Sequence, residues 1–185
     1  MHDEGFAFTV RREVETDRPH IRDVHSAAFG DDQVPNLVDV LRSASAPIAP
    51  MSYVAVRDNR IIGHIMMSAG RLDAPRQIVN VLVLSPLGVL PEFQKRGIGT
   101  ALVRHAIEAA ELRGEPLVFL EGSPQFYGSR GFERASATGF RTPSLRIPDP
   151  AFQVARLSSY EPWMTGTLVY SDPFWALDCV GLRDV

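Results

Sequence analysis

The sequence predicts a single α/β domain, and three observations predict it. Short stretches that alternate apolar and polar residues, or are apolar throughout, read as strands along the chain. Longer stretches between them carry apolar residues at helical spacing. The chain is 185 residues long and 45% apolar, enough for one buried core and too apolar for wholesale disorder.

Phe6–Arg11 alternates and reads as a first strand. Thr16 and Asp17 offer an N-cap, and Pro19 is tolerated in the first helical turn. Ile21, Val24 and Ala28 recur at helical spacing until Gly30. Asp31 and Asp32 open a second helix with Val34, Leu37, Val38 and Leu41 on one stripe. A Ser/Ala/Pro-rich loop, 43–50, leads into a hairpin with arms Ser52–Arg57 and Ile61–Ala69 and turn chemistry at Asp58-Asn59-Arg60. Ile78–Val89 is apolar on both faces and reads as a central strand, with Gly88 marking a bulge or a close backbone approach. A helix from Ile98 to about Arg113 buries Ile98, Leu102, Ala106 and Ala109. Leu117–Leu120 is a short buried strand, followed by a small helix over Pro124–Ser129. Phe152–Leu157 and Gly166–Tyr170 read as strands again, so residues from about 139 to 185 form a strand-rich extension of the one domain spanning 1–185. Trp163, Phe174 and Trp175 are expected to pack this tail onto the domain. No repeat or linker interrupts the chain.

The formal net charge of −3 argues against a generic nucleic-acid binder, which carries a basic surface. Cys179 is the only cysteine, which excludes an intrachain disulfide and a cysteine-based zinc cluster, and the five histidines lack metal-site spacing. Met1–Gly5 lacks the basic start and apolar run of a signal peptide, and no apolar stretch is long enough to span a bilayer. A cytoplasmic protein with no membrane or nucleic-acid partner and no metal is the expectation.

The stretch richest in chemistry is Leu87–Leu102. Within it an apolar strand end, the basic glycine turn Gln94-Lys95-Arg96-Gly97-Ile98-Gly99 and a helix start follow one another. Such a turn presents unpaired N–H groups to a phosphate. No Gly-Lys-Ser/Thr follows it, which excludes a Walker motif, and the three-glycine dinucleotide fingerprint is absent. No Gly-x-Ser-x-Gly elbow appears, which disfavours a serine hydrolase.

With these residues the chain resembles the GNAT superfamily of N-acetyltransferases. Gln94, Gly97 and Gly99 match the family's Arg/Gln-x-x-Gly-x-Gly/Ala signature, after a strand and before a helix. Phe126-Tyr127-Gly128-Ser129-Arg130-Gly131-Phe132 matches its second element, a tyrosine shortly before Gly-Phe. Gly63-His64-Ile65, Leu84–Val89 and Pro148–Phe152 resemble a branch of small bacterial predicted acetyltransferases. The resemblance covers about residues 6 to 175. It implies a mixed, mostly antiparallel sheet that splays at a cofactor cleft and is flanked by helices.

It also implies acetyl-CoA as cosubstrate and direct attack by a primary amine of a small molecule or peptide. Leu87, Gly88 and Val89 would bind the pantetheine arm through their main chain, as a surrogate strand. The turn Gln94, Lys95, Arg96, Gly97, Ile98, Gly99 and Thr100 would hold the pyrophosphate, and the Val89 N–H would polarise the thioester carbonyl. Tyr127 is the implied proton donor to the departing thiolate. The attacking amine must first lose a proton. Glu121, at the end of a buried strand, is the first candidate to take it, directly or through water, with His64 or water alone as alternatives. An acyl-CoA-binding regulatory module without turnover is the other class of function the motifs allow. The family makes a homodimer an option, and the acceptor carries no signature.

Overall fold

The computed structural model describes residues 6–183, so the N-terminal reading of Met1–Gly5 lies outside the described residues. Nine strands form one sheet: β1 (Thr9–Arg12), β2 (Met51–Arg57), β3 (Arg60–Asp73), β4 (Ile78–Val89), β5 (Leu117–Glu121), β6 (Glu133–Arg134), β7 (Phe140–Arg141), β8 (Phe152–Arg156) and β9 (Gly166–Tyr170). The main order is β1-β2-β3-β4-β5-β8-β6, while β9 pairs with β3 and β7 with β9. Only β4–β5 and β7–β9 are parallel, so the sheet is mixed and mostly antiparallel. The helices are α1 (Arg18–Phe29), α2 (Gln33–Ser43), α3 (Ile98–Arg113), the single turn α4 (Pro124–Tyr127) and α5 (Asp172–Ala176). None is long and apolar enough to cross a membrane.

The limits of β4 and α3 coincide with those predicted. Four differences are instructive. The first strand starts at Thr9, not Phe6, because Phe6 packs its ring beside Phe8 and Phe93 instead of joining the ladder. The second arm of the hairpin runs on to Asp73, because β9 pairs with its far half, Gly70–Asp73. On α3 the buried position is Ala110, with Val103, while Ala109 is only half-buried. The tail holds the helix α5 as well as strands: Phe174 is buried, whereas Trp175 stays exposed.

Two layers of helices enclose the sheet. A Cβ on Gly63 would meet Ile98 and Leu102 of α3, whereas one on Gly88 would meet Val24 and His25 of α1. So α3 covers one face of β3 and β4 and α1 the other. At the centre of the core Phe119 is fully buried, with ring centroids of Phe140 and Phe152 at 5.1 and 5.8 Å. It ties β5 to the tail. Phe119→Ala is expected to destabilise the fold by about 3–5 kcal/mol through lost transfer energy and a cavity. Denaturant unfolding measures this, and a loss under ~1 kcal/mol contradicts the placement.

The sheet splays where β4 leaves β5. The parallel pairing covers only Leu82↔Val118 and Val83↔Phe119. On the other side β4 stays on β3 to its end, but with an irregularity: Met67 faces Leu84 and Ile65 faces Leu87. Met66 alone therefore stands opposite Ser85 and Pro86, which is a β-bulge. The bulge lies earlier than Gly88. That glycine keeps its register partner His64 and serves a close approach instead.

Candidate functional site

Beyond Leu84 the β5-facing edge of β4 has no strand partner among the described residues. Leu90 N–H donates to Ile62 O on β3 at 3.0 Å. The alternation of an antiparallel ladder then turns the N–H and C=O of Val89 to the open edge. Gln94 Nε2 donates to that Val89 carbonyl at 3.1 Å, so the turn after β4 is fastened back onto the strand end.

The turn delivers the N-terminus of α3 to the same place. Gly97 is the N-cap at φ 81°, a left-handed conformation that L side chains adopt at a cost. The first helical bond is Ala101 N–H to Gly97 O at 3.0 Å. The N–H groups of Ile98, Gly99 and Thr100 therefore have no partner within the helix and concentrate partial positive charge. Thr100 Oγ1 accepts from Arg130 Nη2 at 2.6 Å, and the Arg130 guanidinium lies 3.7 Å from the centroid of Phe126.

These groups border a cleft of about 570 Å³ lined by Leu87, Val89, Phe93, Gln94, Lys95, Gly97, Ile98, Gly99, Thr100, Ser123, Phe126, Tyr127 and Arg130. Nine of the expected site residues thus meet in one place: Leu87, Val89, Gln94, Lys95, Gly97, Ile98, Gly99, Thr100 and Tyr127. Two others do not line it. Arg96 turns away, with its guanidinium 4.9 Å from the Phe6 ring centroid, and Gly88 faces α1. Sequence reasoning assigned no role to Phe93, Ser123, Phe126 or Arg130. The signal for the last two was inside the Phe126–Phe132 motif, where only the tyrosine was singled out.

Tyr127 is the titratable group deepest in the cleft wall. Its ring packs edge-on against Phe126 and Phe132, at centroid distances of 4.8 and 5.6 Å. Burial pushes its phenol up to about 12, against a small opposite pull from Arg130. It is protonated at any working pH, so it can donate.

Glu121 is not in the cleft wall. Its carboxylate accepts from Gly181 N–H at 3.0 Å and from the Tyr170 hydroxyl, which ties β5 to the C-terminal tail. Burial raises its pKa, opposed by those two hydrogen bonds and by Arg146. Burial and the facing carboxylate hold the Tyr170 phenol well above its ordinary value, so it remains a donor. Tyr170 also lines a second hollow, of about 370 Å³, between the 44–50 loop, β3 and the start of α5. His64 is fully buried on the α1 face of β3, opposite Gly88. No group of three or more metal-binding side chains occurs among the described residues.

The sequence and the architecture were compared with known proteins. The family described as "Acetyltransferase (GNAT) domain" matches residues 9–135. A curated relative, the "Uncharacterized N-acetyltransferase YjhQ" of Escherichia coli (strain K12), is 30% identical over 174 residues, covering 90% of this chain and 93% of that protein. Among solved structures, the GNAT family N-acetyltransferase YhbS of Escherichia coli, in complex with CoA, superposes with a TM-score of 0.81 at 25% identity. It covers 94% of this chain and 95% of its own. A GNAT family acetyltransferase of Brucella melitensis, in complex with acetyl-CoA, gives a TM-score of 0.73 at 26% identity, covering 92% of this chain and 99% of its own.

Proposed function

Because the chain belongs to the GNAT family of acetyltransferases, we propose that it moves the acetyl group of acetyl-CoA to a primary amine of a small molecule or peptide by direct attack. The observation that carries the reading is that three kinds of group border one cleft: the unpaired end of β4, the unpaired N-terminus of α3 and Tyr127. Two relatives of similar fold were crystallised with CoA and with acetyl-CoA, which supports the same ligand here.

The residues present suit that ligand. A pyrophosphate meets the free N–H groups of Ile98–Thr100, the Lys95 ammonium and Arg130. Pantetheine amides pair with the open edge of β4 as an added strand. The Val89 N–H, turned to that edge, donates to the thioester carbonyl as its oxygen gains charge. Nitrogen attacks the carbonyl carbon, the C–S bond breaks, and Tyr127 supplies the hydrogen bond and the proton for the leaving sulfur. The proton lost by the amine goes to Glu121, through a water or through the Tyr170 hydroxyl that already donates to it. The second hollow beside Tyr170 is then the way in for the acceptor.

Thiol release from acetyl-CoA against a panel of amines tests the whole reading. Release that depends on the amine supports it. Acetyl-CoA binding with no release on any amine supports the regulatory module instead.

Glu121→Gln tests the base. A base acts only when ionised, and the Glu121 pKa is raised. The acid limb of kcat is therefore expected above the ordinary glutamate value of about 4.3. The variant is expected to lower kcat by about 100-fold and to remove that limb. Stability runs the other way. A carboxyl whose pKa is raised in the fold contributes most below its unfolded pKa, and that contribution is lost as pH rises through the folded value. Gln keeps an acceptor for Gly181 without the buried charge, so Tm at neutral pH should not fall. A pH profile identical to wild type removes Glu121 as the base.

A further inference from the structure

A chain of buried polar side chains runs from the segment after β1 to the end of β4. The Glu13 carboxylate accepts from Arg42 Nε at 2.7 Å and from the Ser52 hydroxyl. Ser52 Oγ lies 2.8 Å from His64 Nε2, which is itself 3.5 Å from Glu13 Oε2. His64 Nδ1 lies 2.7 Å from His25 Nε2. Both rings are fully enclosed. At the far end His25 Nδ1 is buried with no hydrogen-bond partner. It looks onto Gly88, where a Cβ would stand 2.6 Å from it.

The ends of this chain dictate its polarity. Burial pushes the Glu13 carboxyl up, but hydrogen bonds from His64, Arg42 and Ser52 prevail and bring it to about 2. It is an anion and can only accept. Whether His64 Nε2 faces Ser52 Oγ or Glu13, it is the nitrogen that carries the hydrogen. Burial lowers the His64 pKa against the raising effect of Glu13 and Asp17, with Arg42 adding to the fall, so the ring is neutral and its Nδ1 is bare. That bare nitrogen requires a donor, which is His25 Nε2–H. Burial, then His64 and Arg42, bring His25 down to about 2, so it too is neutral. Its Nδ1 is left as a lone pair beside Gly88.

We propose that His25 Nδ1 accepts a hydrogen bond from the N–H of the attacking amine, and that His64, Ser52 and Glu13 are positioning residues that fix its tautomer. The inference rests on the acetyl-transfer reading and adds an orienting group that the motifs do not contain. A neutral amine has a lone pair and N–H bonds. Holding one N–H at Gly88, between Leu87 and Val89, turns the lone pair to the acyl carbon. No proton moves to His25. As the nitrogen bonds to carbon it becomes positive, so the hydrogen bond to His25 becomes charge-assisted and stronger in the transition state than before it. A buried lone pair without a partner is costly, and the substrate N–H relieves that cost when it matters.

Imidazole ¹⁵N shifts of the full-length protein read the tautomers directly. Both His25 and His64 are expected neutral, with hydrogen on Nε2 and a bare Nδ1. In Glu13→Gln the amide can donate, which lets Ser52 and both rings reverse. That variant is expected to show hydrogen on His25 Nδ1 and a kcat lower by about tenfold, with KM for acetyl-CoA and the shape of the pH profile unchanged. His25→Phe keeps a flat ring against Gly88 and is expected to lose about 10- to 100-fold in kcat. A wild-type His25 with hydrogen on Nδ1 overturns the proposal, as does a folded His25→Phe with kcat within about twofold of wild type. Should His25→Phe not fold, the wild-type tautomer and Glu13→Gln decide. Absence of thiol release by the wild-type protein on every amine would overturn the acetyl-transfer reading and, with it, this role for His25, while the tautomer pattern would still be measured.

Discussion

Tyr127→Phe is expected to lower kcat by about 100- to 1000-fold while acetyl-CoA binds as before. The size follows from the acid strengths. The phenol stands at about 12, and the thiol to be formed has a pKa of roughly 8.5 by analogy with cysteine. The phenol is the weaker acid, so most of its effect is a hydrogen bond that strengthens as charge gathers on sulfur. That places the loss in the lower part of the range for acid–base catalysis. Binding should survive because the substitution removes only an oxygen. The edge-on contacts with Phe126 and Phe132 remain, as does the packing over Gly122. Titration calorimetry with acetyl-CoA and the thiol assay separate the two quantities. Turnover equal to wild type removes Tyr127 as the donor. A parallel loss of binding assigns it to the cleft wall alone.

The donor side of this protein is readable in the sequence because local rules set it. A strand end, a glycine turn and a helix start within Leu87–Leu102 fix both the direction of the free N–H groups and their charge. A short turn then leaves little freedom in where Tyr127 falls. The other face of the sheet is not written locally. His25 on α1 and His64 on β3 are far apart in sequence, and each alone looks like an ordinary core histidine. Only the register of His64 with Gly88, and the missing Cβ there, brings them to the end of β4. Glu121 shows the same limit in reverse. Its position at the end of β5 is legible, but its partners Gly181 and Tyr170 come from a tail whose path no motif announces. Arg96 was read as a phosphate ligand from charge alone. The aromatic face of Phe6 competes for its guanidinium and holds it outside the cleft.

Gly97→Glu should abolish acetyl-CoA binding at concentrations that saturate the wild type, with Kd raised by at least about 100-fold, because like charges brought together in a site cost several kcal/mol. Two effects contribute and can be parted. At φ 81° any L side chain is strained, by roughly 1–2 kcal/mol, which also loosens the entry into α3. A Cβ at this position meets nothing within 4 Å, so the new side chain has room and the fold should persist. The carboxylate then stands at the positive end of α3, beside Ile98–Thr100, where it satisfies the free N–H groups and repels the pyrophosphate. Gly97→Ala carries the strain without the charge and is expected to weaken binding by only about tenfold. Added salt should recover part of the loss in the glutamate variant and little of it in the alanine variant, because screening acts on charge and not on backbone strain. Equal affinities for the two variants would mean that the pyrophosphate does not sit on the N-terminus of α3.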